Sequence, residues 1–187
     1  MALNDNATLI IGSGNYFTAP VGTNVPTDLA APGVEWENIG HTSLEDILSI
    51  ESEGGEKTIL GTLQNKQLRS KTSTRTDSFS VVLQQWDTPA LKLYYGSNAV
   101  AVGDGLIGNP NDPQPTVVAF LAVFVDGENI FAIYCPKVEI FRGDDIEFAD
   151  TENLAGLPLS ITPMTIAGND WNYALTPVGT YTPPSGG

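Results

Sequence analysis

Two apolar, β-branched runs, Thr116 to Val125 and Ile130 to Tyr134, flank the dipeptide Asp126-Gly127. A two-residue turn of this kind needs positive φ, which Asp-Gly supplies at little steric cost, so the pattern predicts an antiparallel hairpin. Other segments read the same way. Phe79, Val81 and Leu83 alternate with Ser80, Val82 and Gln84, the period-2 signature of a half-buried strand. Thr8 to Ile11 is a short strand candidate. Val138, Ile140, Ile146 and Phe148 predict a strand pair around Gly143-Asp144, and Cys135 ends an apolar strand before Pro136. Leu157 to Ile166 predicts a last strand, placed at an edge or bent by Pro158 and Pro163.

Helix signals are few. Thr88-Pro89 precedes Ala90-Leu91-Lys92-Leu93-Tyr94-Tyr95, and Gly96 follows. A capping residue, Pro at the start and Gly after the end predict one short helix at about 89–95. A second short turn is expected between Asp150-Thr151 and Gly156. The expected class is therefore mainly β. Residues 18–33 hold Pro20, Pro26 and Pro32 and read as an extended arm. From Gln67 to Thr76 only Leu68 is apolar, so this stretch has no side to bury against a core. From Thr176 to Gly187 the composition predicts a loose tail.

Charge is segregated along the chain. Residues 1–56 carry nine acids and no Lys or Arg; residues 57–75 carry five of the eight basic residues and no acid. The remainder holds thirteen acids against three bases. Unlike patches on one surface attract a second copy, and such heterologous contacts close into rings or run on into filaments. A solvated loop over 57–75 is the other reading. The net charge of −14 argues against a nucleic-acid binder, because phosphate contacts need Lys and Arg.

A search for chemistry returns little. His41, the sole histidine, lies in a loop-like Gly40-His41-Thr42-Ser43 with no nucleophile elbow nearby. Cys135, the sole cysteine, permits no intrachain disulfide and reads as a small buried hydrophobe. One His and one Cys leave no zinc ligand set. The acidic run Asp144, Asp145, Glu147, Asp150, Glu152 lacks the EF-hand spacing. No phosphate loop is present. The three tryptophans are scattered, and the basic stretch has no aromatic residue on which bases could stack. No cofactor, no metal site and no enzymatic activity are expected. The opening Met1-Ala2-Leu3-Asn4-Asp5 lacks the basic, apolar pattern of a signal peptide, and no apolar stretch reaches the ~20 residues of a membrane helix.

Four stretches, in order, resemble a known family: Trp36-Glu-Asn-Ile-Gly-His-Thr-Ser43; Gly54-Gly-Glu-Lys-Thr-Ile-Leu-Gly-Thr-Leu-Gln-Asn-Lys-Gln-Leu-Arg69; Pro89-Ala-Leu-Lys-Leu-Tyr-Tyr-Gly96; and Pro136 to Met164 with Arg142-Gly-Asp-Asp-Ile146 and Leu154-Ala-Gly-Leu-Pro158. With the opening Met1-Ala2-Leu3-Asn4 they resemble the major tail proteins, or tail tube proteins, of long, non-contractile-tailed phages of actinobacteria. The segments near 99–115 and 167–187 do not share in the resemblance. Some relatives carry an extra C-terminal immunoglobulin-like domain; this chain ends too soon for one, so surface decoration is not expected.

The resemblance implies a tail-tube-type β-sandwich or barrel over residues 1–175, with a flanking helix and a loop at about 46–76 that projects to the next ring. It implies six-copy rings stacked around a tape-measure protein in the virion tail, made in the host cytoplasm. Tail terminator and distal tail proteins would be partners, and DNA would pass through without specific binding. Two expectations follow for residues. Lys57, Lys66, Arg69, Lys71 and Arg75 meet Glu45, Asp46, Glu51 or Glu53 of a neighbouring copy. Glu139, Asp144, Asp145 and Glu147 face the lumen, where acids keep DNA off the wall. A tail terminator or head–tail joining protein, an acidic DNA mimic and an extracellular immunoglobulin-type module are the rival readings.

Overall fold

The computed structural model describes residues 3–146, 148, 151–179 and 181. In chain order the strands are β1 (Ser13–Ala19), β2 (Glu37–Asn38), β3 (Ser49–Gly54), β4 (Lys57–Leu60), β5 (Arg69–Thr72) and β6 (Arg75–Leu83). The one α-helix among the described residues, α1 (Thr88–Tyr95), follows. Then come β7 (Val100–Val102), β8 (Leu106–Gly108), β9 (Thr116–Asp126), β10 (Asn129–Arg142), β11 (Leu157–Pro163) and β12 (Ala174–Leu175). The main sheet runs β2-β1-β9-β10-β11-β6-β3, with β12 also paired to β10. β4-β5 and β7-β8 are separate two-stranded sheets. Every pairing is antiparallel.

The molecule is mainly β and sandwich-like, with no closed barrel. The sheet curls so that its two edges approach. Tyr16 of β1 donates its hydroxyl to the Ile47 carbonyl just before β3. The segment after β2 crosses the gap, where Thr42 bridges Leu83 and Ser43 N–H donates to the Val82 carbonyl at 2.8 Å.

The Asp126-Gly127 turn joins β9 to β10 in register, Asp126 opposite Asn129, with Gly127 at φ 60°. Residues Ala119 to Phe124 are buried without a break because both faces of β9 are covered. One face carries Phe120, Ala122 and Phe124 into a core with Tyr16, Phe79, Leu83, Ile140 and Ile161. The other carries Ala119, Leu121 and Val123 against Leu29 and Trp36 of the 20–36 segment. The proline-rich arm expected at 18–33 is thus partly a lid on the second core, with Leu29 only 2% exposed.

Several elements differ from the sequence expectation. Thr8 to Ile11 is not a strand: it runs past the end of β9, and β1 begins at Ser13, opposite Val125. Cys135 does not end a strand. β10 continues to Arg142 because a bulge between Cys135 and Val138 admits Pro136 where the ladder is already broken. The partners of residues 138–142 are therefore β11 and, for 138–140, β9, not a strand carrying Ile146 and Phe148. β11 lies inside the sheet, between β10 and β6; Pro158 and Pro163 are tolerated as its second and last residues, where few ladder bonds are lost. No helix forms at 151–156; Asp150 lies outside the described residues.

The helix matches its sequence signals, with the cap one residue earlier than Thr88. Asp87 Oδ1 accepts from Ala90 N–H at 3.0 Å, leaving Thr88 and Pro89 in the first turn. Ala90 and Tyr94 face the core. Gly96, at φ 104°, ends the helix; a Cβ there would lie 2.3 Å from the Gln114 carbonyl oxygen. Of the segment expected to be a loose tail, residues 176–179 and 181 are described. Thr176 exchanges two bonds with Ala132, Gly179 accepts from Ile130 N–H, and the Tyr181 hydroxyl donates to Pro26.

Candidate assembly surfaces

The most exposed structure is a two-stranded ribbon over residues 49–80. β3 pairs β6 from Ser49–Ser80 to Gly54–Arg75, and β4 pairs β5 from Lys57–Thr72 to Leu60–Arg69. Between them the chain bends at Gly54 and Gly55, both at positive φ. A reciprocal pair holds the bend: Ser73 N–H to the Glu56 carbonyl, and Glu56 N–H to Ser73 Oγ. The tip closes on Thr62 and Asn65, whose backbone N–H groups and oxygens bond each other. Every residue from 51 to 76 is exposed. The chain from Glu51 to Leu60 has an extended length of roughly 30 Å at ~3.3 Å per residue.

The sequence explains this form. Ser, Glu, Thr, Lys and Gly dominate the strands, so neither face can enter a core, yet the backbone ladder can still form. The base is clamped on the core side by Asp77. Its carboxylate accepts from Ser52 across the pair and from the Tyr173 hydroxyl at 3.0 Å, and Arg75 lies 3.5 Å away. The Ser52 hydrogen bond, then that of Tyr173, hold this carboxyl below the usual aspartate range. The Tyr173 ring stands edge-on against Phe79 at 5.2 Å, tying the clamp to the core.

All five basic residues of the 57–75 stretch lie on this ribbon. Arg75 pairs with Asp77 in the same chain; no other ion pair occurs among the described residues. Directly opposed residues share a face. Arg69, Lys71, Leu60 and Thr58 are therefore on one side of the distal ribbon, and Lys57, Ile59, Ser70 and Thr72 on the other. Ile59, Leu60, Leu63 and Leu68 are 51–91% exposed, an apolar complement that the molecule itself leaves uncovered.

The acids fall into two places. Asp46 and Glu51 line a cleft of about 700 Å³ at the base of the ribbon, together with Asp144 and Asp145. Ser78, Ser80 and Ser160 form its floor on the outward side of β6 and β11, beside Val82 and Pro158. Ser43 Oγ accepts from the N–H groups of Glu45 and Asp46, which turns both residues at the rim. Glu45 lines a smaller adjoining hollow of about 210 Å³, and Glu53 lies farther along β3, opposite Thr76. Asp144 is held by its backbone: Tyr94 of α1 donates to its carbonyl at 2.8 Å, and its own Oδ1 accepts from Asp145 N–H.

Glu139 is elsewhere, mid-strand on β10 between Thr162 and Val117. The structure thus separates Glu139 from Asp144 and Asp145, because β10 ends at Arg142 and the alternation that grouped them stops there. Glu147 lies outside the described residues. Sequence spacing could not place residues 46 and 51 beside 144 and 145; the β11–β6 pairing does so.

His41 is exposed, and its backbone pairs with the residues after β6. Cys135 is fully buried, and burial pushes its thiol far above the ordinary range, so it is chemically quiet. Among the described residues no group of three or more His, Cys, Asp or Glu is arranged to hold a metal ion, and no helix is long and apolar enough to cross a membrane.

The described residues form a curled β-sandwich with a helix on its core and a ribbon exposed from residue 51 to residue 76. The sequence matches the phage tail tube protein family over residues 1–177, and the chain belongs to that family. It is 34% identical to the Major tail protein Gp23 of Mycobacterium phage L5, in an alignment of 175 residues covering 87% of each chain. The Major tail protein Gp23 of Mycobacterium phage D29 matches to the same extent. The family resemblance read from the four sequence stretches is therefore correct.

Proposed function

We propose that this chain polymerises as stacked hexameric rings that form the tube of a phage tail, acting structurally and not as an enzyme. One observation carries the reading: the ribbon is exposed along both faces from residue 51 to residue 76 and bears four cations that form no ion pair among the described residues of their own chain. A structure whose side chains enter no core of its own has another protein as its natural counterpart. Relatives that are major tail proteins supply the class of that counterpart, further copies of the same chain.

The domain over residues 1–175 supplies the body of the ring, and the exposed part of the ribbon, residues 51–76, reaches a neighbouring copy. The net charge of −14 suits a conduit. A wall that bound phosphate would stall passing DNA, whereas an acidic wall repels it within a Debye length, ~8 Å at physiological salt. Glu139, on an open face of β10, is a wall residue in this reading. The tape-measure, tail terminator and distal tail proteins are the other partners, and the protein is made in the host cytoplasm before it enters the virion tail.

Negative-stain electron microscopy of the purified protein, concentrated with and without added salt, tests the proposal. Hollow tubes with a regular axial repeat are expected. Isolated rings would favour a tail terminator or head–tail joining role, and a persistent monomer would favour an acidic DNA mimic.

A further inference from the structure

We propose that the acidic cleft at the base of the ribbon receives the Arg69–Lys71 face of another copy's ribbon. Asp144 and Asp145 are then docking residues of the tube rather than part of its lumen wall. The inference rests on the tube reading above and adds the acceptor site to it.

Three features of the cleft and the ribbon fit together. First, the cleft is lined by the carboxylates of Asp46, Glu51, Asp144 and Asp145, with no Lys or Arg among its lining residues. The one distal ribbon face with two cations carries Arg69 and Lys71 on adjacent outward positions of β5. Second, that face also presents Leu60, 54% exposed, and the cleft offers Val82 and Pro158 as an apolar strip beside its serines. A mixed apolar and charged contact gains both burial and register, since unlike charges fix register while burial supplies cohesion. Third, the two halves do not pair within one chain among the described residues. Glu51 is at the ribbon's base, and Arg69 pairs with Leu60 beyond the bend at Gly54 and Gly55, with roughly 30 Å of extended chain between Glu51 and Leu60 at ~3.3 Å per residue. None of the four carboxylates forms an ion pair in its own chain among the described residues.

Base-to-tip contact is heterologous, so each copy both gives a ribbon and receives one. Such contacts propagate instead of closing on a pair, as a stack of rings requires. On the outward polar floor Ser80 Oγ is already bonded to Ser49 Oγ, and Ser78 and Ser160 offer hydroxyls to polar groups of the incoming strand.

The test is a charge swap read by sedimentation and negative-stain microscopy at low salt. R69E/K71E and D144K/D145K are each expected to cut the polymer fraction at least ~10-fold, because close pairs in a contact couple strongly and unlike-to-like reversal adds repulsion. The quadruple variant is expected to recover most of it, which a misfolded variant could not do. R69E/K71E polymerising as well as wild type, or a quadruple variant no better than either double, overturns the docking assignment while leaving the tube reading intact. Wild-type protein that forms no tubes sinks the tube reading, and the docking assignment falls with it. In tubes of K71C/D145C, oxidation is expected to give a ladder of cross-linked copies; formed tubes that give no ladder also overturn the assignment.

Discussion

Two hairpins in this molecule share a backbone pattern and differ in everything else. The β9–β10 hairpin and the β4–β5 ribbon are both antiparallel ladders closed by local turn chemistry. Residues 119–124 of the first are buried on both faces, while residues 51–76 of the second are exposed throughout. A ladder alone contributes little, since an isolated two-stranded hairpin is marginal in water. The ribbon therefore depends on its base, where β3 joins the main sheet and Asp77 ties Ser52, Arg75 and Tyr173 together. The contrast separates residues that fold the monomer from residues that await a second copy.

Truncation gives the largest expected effect. Phe120→Ala empties a fully buried site and should cost about 3–5 kcal/mol of stability in urea unfolding. Leu60→Ala, on the ribbon, should leave monomer unfolding within about 0.5 kcal/mol of wild type while reducing polymer formation. Equal losses in the two variants would break the comparison.

The bend of the ribbon gives the next effect. At Gly54 (φ 85°) a Cβ would stand 2.3 Å from the Thr74 carbonyl oxygen, whereas at Gly55 (φ 74°) it would meet nothing within 4 Å. Gly55→Ala should carry only the left-handed backbone penalty of ~1–2 kcal/mol. Gly54→Ala should exceed that and free the β4–β5 amides for hydrogen exchange in the monomer. Exchange unchanged in Gly54→Ala would mean that the ribbon's order does not depend on this bend. A smaller change is expected at the helix: Asp87→Ala should cost about 1 kcal/mol, measured by the same unfolding, with no effect on the ribbon.

The same contrast explains what could be read from sequence. The Asp126-Gly127 turn, the Phe79–Leu83 alternation and the helix at 88–95 are written in local chemistry, so they were legible. β3, with the sequence Ser-Ile-Glu-Ser-Glu-Gly, has no apolar face; its strand character comes from pairing with β6. The prolines of β11 suggest an edge or a bend, but they fall at its second and last positions, so the strand lies inside the sheet. The bulge at Pro136 hid the length of β10, and so misassigned the partner of Val138 and Ile140. The cationic half of the candidate site was legible because it lies in one stretch. Its acidic counterpart was not, because the fold assembles it from residues nearly a hundred positions apart.

The smallest expected effect concerns pH at the ribbon's base. The Asp77 carboxyl is held below its usual range, first by the Ser52 hydrogen bond. A depressed folded-state value stabilises the fold above the unfolded aspartate pKa of about 3.9, and the contribution is lost as pH falls through the folded value. Its partner Tyr173 is shifted the other way, upward, mainly by burial and then by its bond to Asp77. A raised value stabilises below the ordinary tyrosine pKa of about 10 and is lost as pH rises through the folded value. The clamp should therefore hold from about pH 4 to above pH 10. Asp77→Asn removes the charge but keeps the shape, so it should be slightly less stable than wild type at neutral pH. That difference should shrink as pH drops below about 4 and on through the lower folded-state value of Asp77, where the wild-type carboxyl also becomes neutral. A difference that stays constant down to pH 2 would show that the carboxylate charge is not what anchors the ribbon, leaving the Phe79–Tyr173 packing as its anchor.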